Sequence, residues 1–143
     1  MKIDYSKKEF TQDERRYMNN EVNRLKEINP KHIPILIQLQ SNVLKMEKQK
    51  FLVSNDINFN DFVNNTLKKK LINLYKSDLL VLQVVNFDSK GNVKYTDIKP
   101  RAVEMSEIYD KYKDPETSLL IFKVSRMTTY KWVKGCINYV LGY

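Results

Sequence analysis

Apolar and polar positions along this chain fall into two periods. After Thr11, the residues Met18, Val22, Leu25 and Ile28 recur at spacings of three and four, the stripe of an amphipathic helix. "TQDE" at its start is a capping box, in which Thr11 accepts from the backbone of Glu14 and the Glu14 carboxylate reaches back. Pro30 closes the segment, and a shorter helical turn is expected over residues 5–10. "HIPILIQLQ" then becomes almost continuously apolar over residues 33–39, as in a strand covered on both faces. Pro34 stands near its start, where a missing N–H is tolerated. In "KQKFLV" the faces alternate: Lys48, Lys50 and Leu52 point one way, and Gln49, Phe51 and Val53 the other. These two strands are expected to pair as a hairpin.

Further along, Asn58 caps a helix carrying Phe59, Phe62, Thr66 or Leu67, and Lys70 or Leu71 in register. Residues 79–85, "LLVLQVV", form a third strand, followed by a loop with a small hairpin at "SKGN". "EMSEIYDKY" is a short amphipathic helix with Met105, Ile108, Tyr109 and Tyr112 on one face, and "SLLIFKV" a fourth strand. The order is ββαβαβ behind two extra N-terminal helices, an α+β arrangement. A four-stranded mixed sheet with one covering helix between its second and third strands is the ubiquitin-like β-grasp. Other α+β folds share that order, so the pattern alone leaves the choice open.

Composition narrows the function classes. The chain has 143 residues, 42% apolar and 29% charged, suiting one globular domain with its own core. No apolar run approaches the roughly 18 residues a membrane span needs, and "MKIDYSKKEF" is not a secretory signal. The single cysteine, Cys136, excludes an internal disulfide and suits the cytosol or nucleus. One histidine, His32, and one cysteine cannot close a zinc site, and no cofactor is expected. No paired acids or activated nucleophile can be placed, so the chain reads as a non-enzyme. A formal charge of +8 favours acidic peptides, anionic membrane or nucleic acid, but no nucleic-acid-binding signature accompanies it. The run Lys68, Lys69, Lys70 reads as a solvated helix face. The row Lys48, Lys50, Leu52 has two readings: an edge strand guarded by lysines, or an edge that accepts a peptide as an added strand.

Five segments in order resemble the autophagy ubiquitin-like modifiers, specifically their GABARAP branch. "MKIDY" resembles the family's "MKFVY", "NPKHIPILIQ" its "YPDRVPVIVE", and "EKQKFLVSND" its "DKKKYLVPSD". "EMSEIYDKYKD" resembles "TMGQLYQEHHE", and "LLIFKVSRMTTY" resembles "FLYIAYSDESVY". The similarity runs to Tyr130, which makes residues 1–130 a single ubiquitin-like domain including the helices of 1–29, with 131–143 a divergent tail. The insertion after Val85 and this tail depart from the family.

The resemblance implies a modifier joined through a C-terminal glycine to phosphatidylethanolamine, with a cytoplasmic pool and an autophagosomal membrane pool. Its implied partners are a processing protease, conjugation enzymes, and receptors carrying acidic aromatic-x-x-aliphatic motifs; nucleic acid is not expected. Carried over by position, an aromatic pocket would use Glu21, Leu25, His32, Pro34, Lys48, Lys50, Leu52 and Leu119. An aliphatic pocket would use Phe51, Val53, Ile57, Phe62 and Leu67, with Lys70 at its rim. Leu119 replaces a phenylalanine of the family and Ser54 a proline. One extra residue around 62–71 leaves the position of Leu67 open by one. Without the family, Leu25, Leu52, Leu119, Phe51 and Phe62 read as ordinary core.

At the C-terminus, Tyr130 matches the family's aromatic, but Lys131 stands where the conjugated glycine follows. Gly142, exposed by removal of Tyr143, is the candidate for lipid conjugation, with Gly135 or no glycine as alternatives. Trp132, Cys136 and Val140 recur every four residues, so the tail also fits a short amphipathic helix. A non-conjugated ubiquitin-like interaction module and a basic nucleic-acid-binding domain are the rival functions.

Overall fold

The apolar run becomes β1 (His32–Leu39), and the sheet is assembled around it. The computed structural model describes residues 2–40, 44–74 and 78–128. β1 pairs antiparallel with β2 (Lys50–Ser54) and parallel with β5 (Leu120–Thr128). β3 (Asp78–Phe87) is antiparallel to β5, and β4 (Val93–Ile98) is antiparallel to β3. The strand order is β2-β1-β5-β3-β4, with β2 at one edge.

Both faces of the sheet are covered, which accounts for the unbroken apolar run in β1. On one face, α1 (Gln12–Ile28) lays Met18 and Val22 into a cluster with Leu36, Val85, Leu119 and Ile121. On the other, Ile33, Ile35 and Ile37 meet Phe59, Phe62, Met105, Ile108 and Phe122. Phe122 comes from β5 and the others from α2 (Phe59–Asp61), a π-helical turn (Phe62–Leu67) and α4 (Met105–Tyr112), while α3 (Lys68–Lys70) ends the helical run. Sequence reasoning placed the Thr11 capping box, α1, α4 and the strands β1, β2, β3 and β5 correctly.

Four details differ from expectation, each for a local reason. The sheet has five strands instead of four, because the segment after β3 turns back at the expected "SKGN" hairpin and pairs with β3 as β4. Its turn is held by Asp88, whose carboxylate accepts from the backbones of Lys90 and Asn92, with Gly91 at φ 88°. Residues 5–10 form no second N-terminal helix. Asp4 captures the Ser6 backbone N–H and the Lys7 N–H bonds to the Asp4 carbonyl, turning the chain there. Phe10 is then buried edge-on against Phe87, with ring centroids 5.8 Å apart. β2 begins at Lys50 and not at Lys48, although the Gln49 carbonyl still accepts from Ile37 N–H. β5 begins at Leu120, since Ser118 takes a left-handed φ of 61° in the turn closed on Asp114.

One tether was missed in the sequence because a charge stands on an apolar stripe. Arg15 lies three residues before Met18, yet it is 4% exposed. Its guanidinium donates to the carbonyls of Phe10 and Ser89 and contacts Glu116 at 3.4 Å. It also lies so close to Gly91 that a Cβ there would stand 2.6 Å from a guanidinium nitrogen. α1 is thereby tied to the β3–β4 turn through buried, hydrogen-bonded charge.

Asp114 ties β3 to the entry of β5. Its carboxylate accepts from Phe87 N–H at 2.7 Å, from Thr117 N–H at 3.0 Å and from the Thr117 hydroxyl at 2.6 Å. Burial pushes this carboxyl above the ordinary aspartate value of 3.8, and the three hydrogen bonds pull it partly back. A carboxyl raised in the folded state favours folding most below the unfolded value, and that contribution is lost as pH rises through the folded value. An NMR titration is expected to place the Asp114 midpoint above 3.8, and Thr117→Val, which removes the hydroxyl donor, is expected to raise it further. A midpoint at or below the ordinary value would contradict the burial.

Candidate functional site

The β1–β2 register sorts the candidate residues between the two faces. Pro34 pairs with Leu52 and Leu36 with Lys50, whereas Ile33 pairs with Val53 and Ile35 with Phe51. Lys50 and Leu52 therefore share the face of α1, and Phe51 and Val53 the face of the π-helical turn. The alternation read from "KQKFLV" holds from Lys50 onward.

On the α1 side, Leu25, Pro34, Lys48, Lys50, Phe51 and Leu52 line a hollow of about 310 Å³. The structure thus brings together Leu25, Pro34, Lys48, Lys50 and Leu52 from the predicted aromatic pocket. Leu52 is half-buried at the edge strand, and Leu25 comes from the last turns of α1. Lysines can wall such a hollow with their aliphatic stems while their ammonium groups reach water or a polar partner. Glu21 lies one turn before Leu25 and pairs with Arg24 at 2.7 Å. That bond, with the nearby charges of Arg24 and Lys50, holds the Glu21 carboxyl below its ordinary value.

The remaining two members are placed differently. His32 is exposed at the start of β1, opposite Ser54. Leu119 is 1% exposed and belongs to the core cluster with Met18 and Val22. It is absent from the lining of the hollow.

On the other face, Phe62 and Leu67 are both 0% exposed and Val53 is 7% exposed, so all three are core. Phe51 and Ile57 are partly buried against that core. Lys70 lies over the Phe51 ring, with its ammonium 4.6 Å from the centroid.

The π-helical turn gives a physical account of the extra residue. Lys68 N–H bonds to the Val63 carbonyl, five residues back. In an α-helix, residues five apart diverge by about 140°. The wider turn absorbs one residue and lets Phe62 and Leu67 enter the same core. The predicted tail residues, Gly135 and Gly142 among them, lie outside the described residues, as does Tyr130.

A second hollow, not anticipated from the sequence, adjoins the first. It measures about 690 Å³ and runs between residues 2–6 and residues 47–50. Lys50 donates to the Tyr5 hydroxyl at 3.0 Å, with its ammonium 4.3 Å from the ring centroid. The only hint in the sequence was the aromatic in "MKIDY".

The fold is that of a ubiquitin-like protein with an α-helical N-terminal addition and an apolar hollow beside an edge strand. A family model described as "Autophagy protein Atg8 ubiquitin like" matches residues 15–130, and the chain belongs to this family. Among solved structures it is similar to Trypanosoma brucei ATG8, at 24% identity and a TM-score of 0.62, covering 90% of this chain and 98% of that one. It is also similar to Plasmodium falciparum Atg8, solved in complex with a Plasmodium falciparum Atg3 peptide. That similarity is 21% identity and a TM-score of 0.59, over 79% of this chain and 93% of the other. At these identities the structures show the shared fold. No curated protein sequence matches the chain. Among the described residues, no helix is long and apolar enough to cross a membrane.

The burial of Leu119 separates core from pocket experimentally. Leu119→Ala is expected to lower unfolding stability by about 2–5 kcal/mol, measured by urea denaturation. A folded variant with unchanged midpoint and weakened ligand binding would instead make Leu119 a pocket wall.

Proposed function

We propose that this chain is an autophagy adaptor that docks acidic aromatic-x-x-aliphatic segments along β2 and is tethered to the autophagosomal membrane through its tail. The observation that carries the docking half is the hollow of about 310 Å³ formed by Leu25, Pro34 and Leu52 with Lys48 and Lys50. Its position beside an outermost strand lets one ligand use both backbone and pocket. An extended segment adds to β2 through main-chain hydrogen bonds, its aromatic side chain enters the hollow, and its aliphatic anchor rests on Phe51 and Ile57. Lys48, Lys50 and Lys70 attract the flanking acids, acting mostly on encounter rate and partner choice. The protein acts by recruitment, without catalysing a reaction itself.

The tether half rests on the family and on the tail sequence. A processing protease removes Tyr143, conjugation enzymes join Gly142 to phosphatidylethanolamine, and the protein divides between cytoplasm and autophagosomal membrane. The Plasmodium falciparum relative in complex with an Atg3 peptide supports a peptide-binding, conjugation-linked role for this fold.

Isothermal titration with an acidic aromatic-x-x-aliphatic peptide tests the docking. Leu52→Ala is expected to cost on the order of 2 kcal/mol of affinity. Adding Lys50→Glu is expected to abolish detectable binding, with the charge change acting chiefly on association rate and salt dependence. Unchanged affinity in a folded double variant removes the docking claim.

Mass spectrometry of protein recovered from its own cells tests the tether. Loss of Tyr143 and a lipid-dependent mobility shift are expected, both abolished by Gly142→Ala. Intact Tyr143 on all membrane-bound protein would leave an interaction module without a covalent anchor.

A further inference from the structure

α1 covers only part of its face of the sheet. Val85 and Phe87 of β3 belong to the α1-side cluster with Leu36 and Ile121. Leu79, Val81 and Gln83 share that face by strand alternation, yet Leu79 is 52% exposed and Val81 40%. Tyr95, opposite Val85 on β4, is 39% exposed on the same side. Three of the five large apolar side chains exposed among the described residues thus lie where α1 leaves one sheet face open. Lys123, opposite Gln83 on β5, reaches across this surface and sets its ammonium 4.7 Å from the Tyr95 ring centroid.

We propose that residues 132–141 return as an amphipathic helix onto this open surface, seating Trp132 on Leu79 and Val81. The inference is independent of the docking groove, which lies at the opposite edge of the sheet, and it holds whether or not Gly142 is conjugated. Gly142 follows the last apolar position of the helix, so any conjugation there requires the final turn to leave the sheet.

The chain itself delivers the tail to this place. β5 leaves the sheet alongside the start of β3, with Met127 paired to Leu79 and Thr128 to Asp78. Residue 132 follows four positions later, within reach of Leu79 after one reversal of the chain. A segment held on so short a linker meets the surface at an effective concentration on the order of millimolar, an advantage over any separate partner.

The tail sequence carries the matching pattern. At about 100° per residue, Trp132, Val133, Cys136, Ile137, Val140 and Leu141 fall in one half of a helical wheel. Lys131, Lys134, Gly135 and Asn138 fall in the other half. The helix would be about 15 Å long, close to the roughly 13 Å from Leu79 to Gln83 along β3. A helix this short, with a glycine in its middle, is not stable alone in water and needs a surface to form on. The charge of +8 disfavours a second copy as the cover, since it would bring two basic chains together.

Trp132 is the only tryptophan of the chain and reports on the tail directly. Its fluorescence is measured in the full chain, free of lipid, with acrylamide as quencher, and compared with the same chain unfolded in urea. Quenching is expected to be at least threefold weaker in the folded chain, and to stay so throughout a dilution series. Leu79→Ser with Val81→Ser, both at exposed positions, is expected to return quenching close to the unfolded level. Ile137→Ser with Val140→Ser, which leaves the described domain untouched, is expected to do the same. In that tail variant the amide NMR signals of Val81, Gln83 and Lys123 are expected to move, which locates the contact without altering the sheet. Free quenching of Trp132 in the unmodified chain overturns the proposal, as does protection that survives either pair of substitutions in a folded chain. Unmoved signals in the tail variant also overturn it, because the tail would then lie elsewhere. Protection that fades on dilution assigns the surface to a second copy, and protection that arises only with anionic vesicles assigns the tail to a membrane; either result overturns it too.

Discussion

The parallel pairing of β1 with β5, buried on both faces, is the constraint on which the rest of the molecule depends. Five consecutive pairs, from Ile35 with Leu120 to Leu39 with Val124, place two strands with long buried runs side by side. Parallel strands cannot be joined by a tight turn, so the chain between them must travel through β2, the helices and β3 before returning. Beyond this pair and β3, which itself pairs on both sides, every other element is a cover or an edge. α1 covers one face, the π-helical turn and α4 cover the other, and β2 is left outermost.

That arrangement generates the candidate docking site without a dedicated loop. Because β1 is buried on both sides, its partner β2 inherits two different environments on alternate residues. Lys50 and Leu52 stand beside the end of α1, while Phe51 and Val53 pack toward the π-helical turn. A slip of one residue in the β1–β2 register would exchange the two sets of side chains, so the register is fixed by burial. The lysines along this edge discourage pairing with arbitrary strands, and under the proposed docking they would favour acidic ones.

Buried polar groups hold the less regular parts in place. Arg15 joins α1 to the β3–β4 turn, and Asp114 joins β3 to the entry of β5. Both are satisfied by several partners, as buried charge must be if it is not to destabilise the fold. Arg15 and Gly91 show how closely the β3–β4 turn is fitted to α1.

Local physics made much of this legible in the sequence. The Thr11 capping box, the stripe of Met18, Val22 and Leu25, and the apolar run of β1 each depend on neighbours within a turn or a strand. The alternation at Lys50, Phe51 and Leu52 likewise follows from strand geometry alone. What tertiary structure decided were matters of distance across the fold. Leu25 and Leu119 are both leucines beside polar residues, yet one lines a hollow and the other is sealed in the core, according to where α1 crosses the sheet. Residues 5–10 lack a helix because Asp4 and Phe10 find better partners in the Ser6 turn and Phe87. Lys50 meets Tyr5 across 45 positions, and no periodicity records such a pair. A sequence sets which residues prefer burial and which period they keep; only the packed sheet determines which of them face one another.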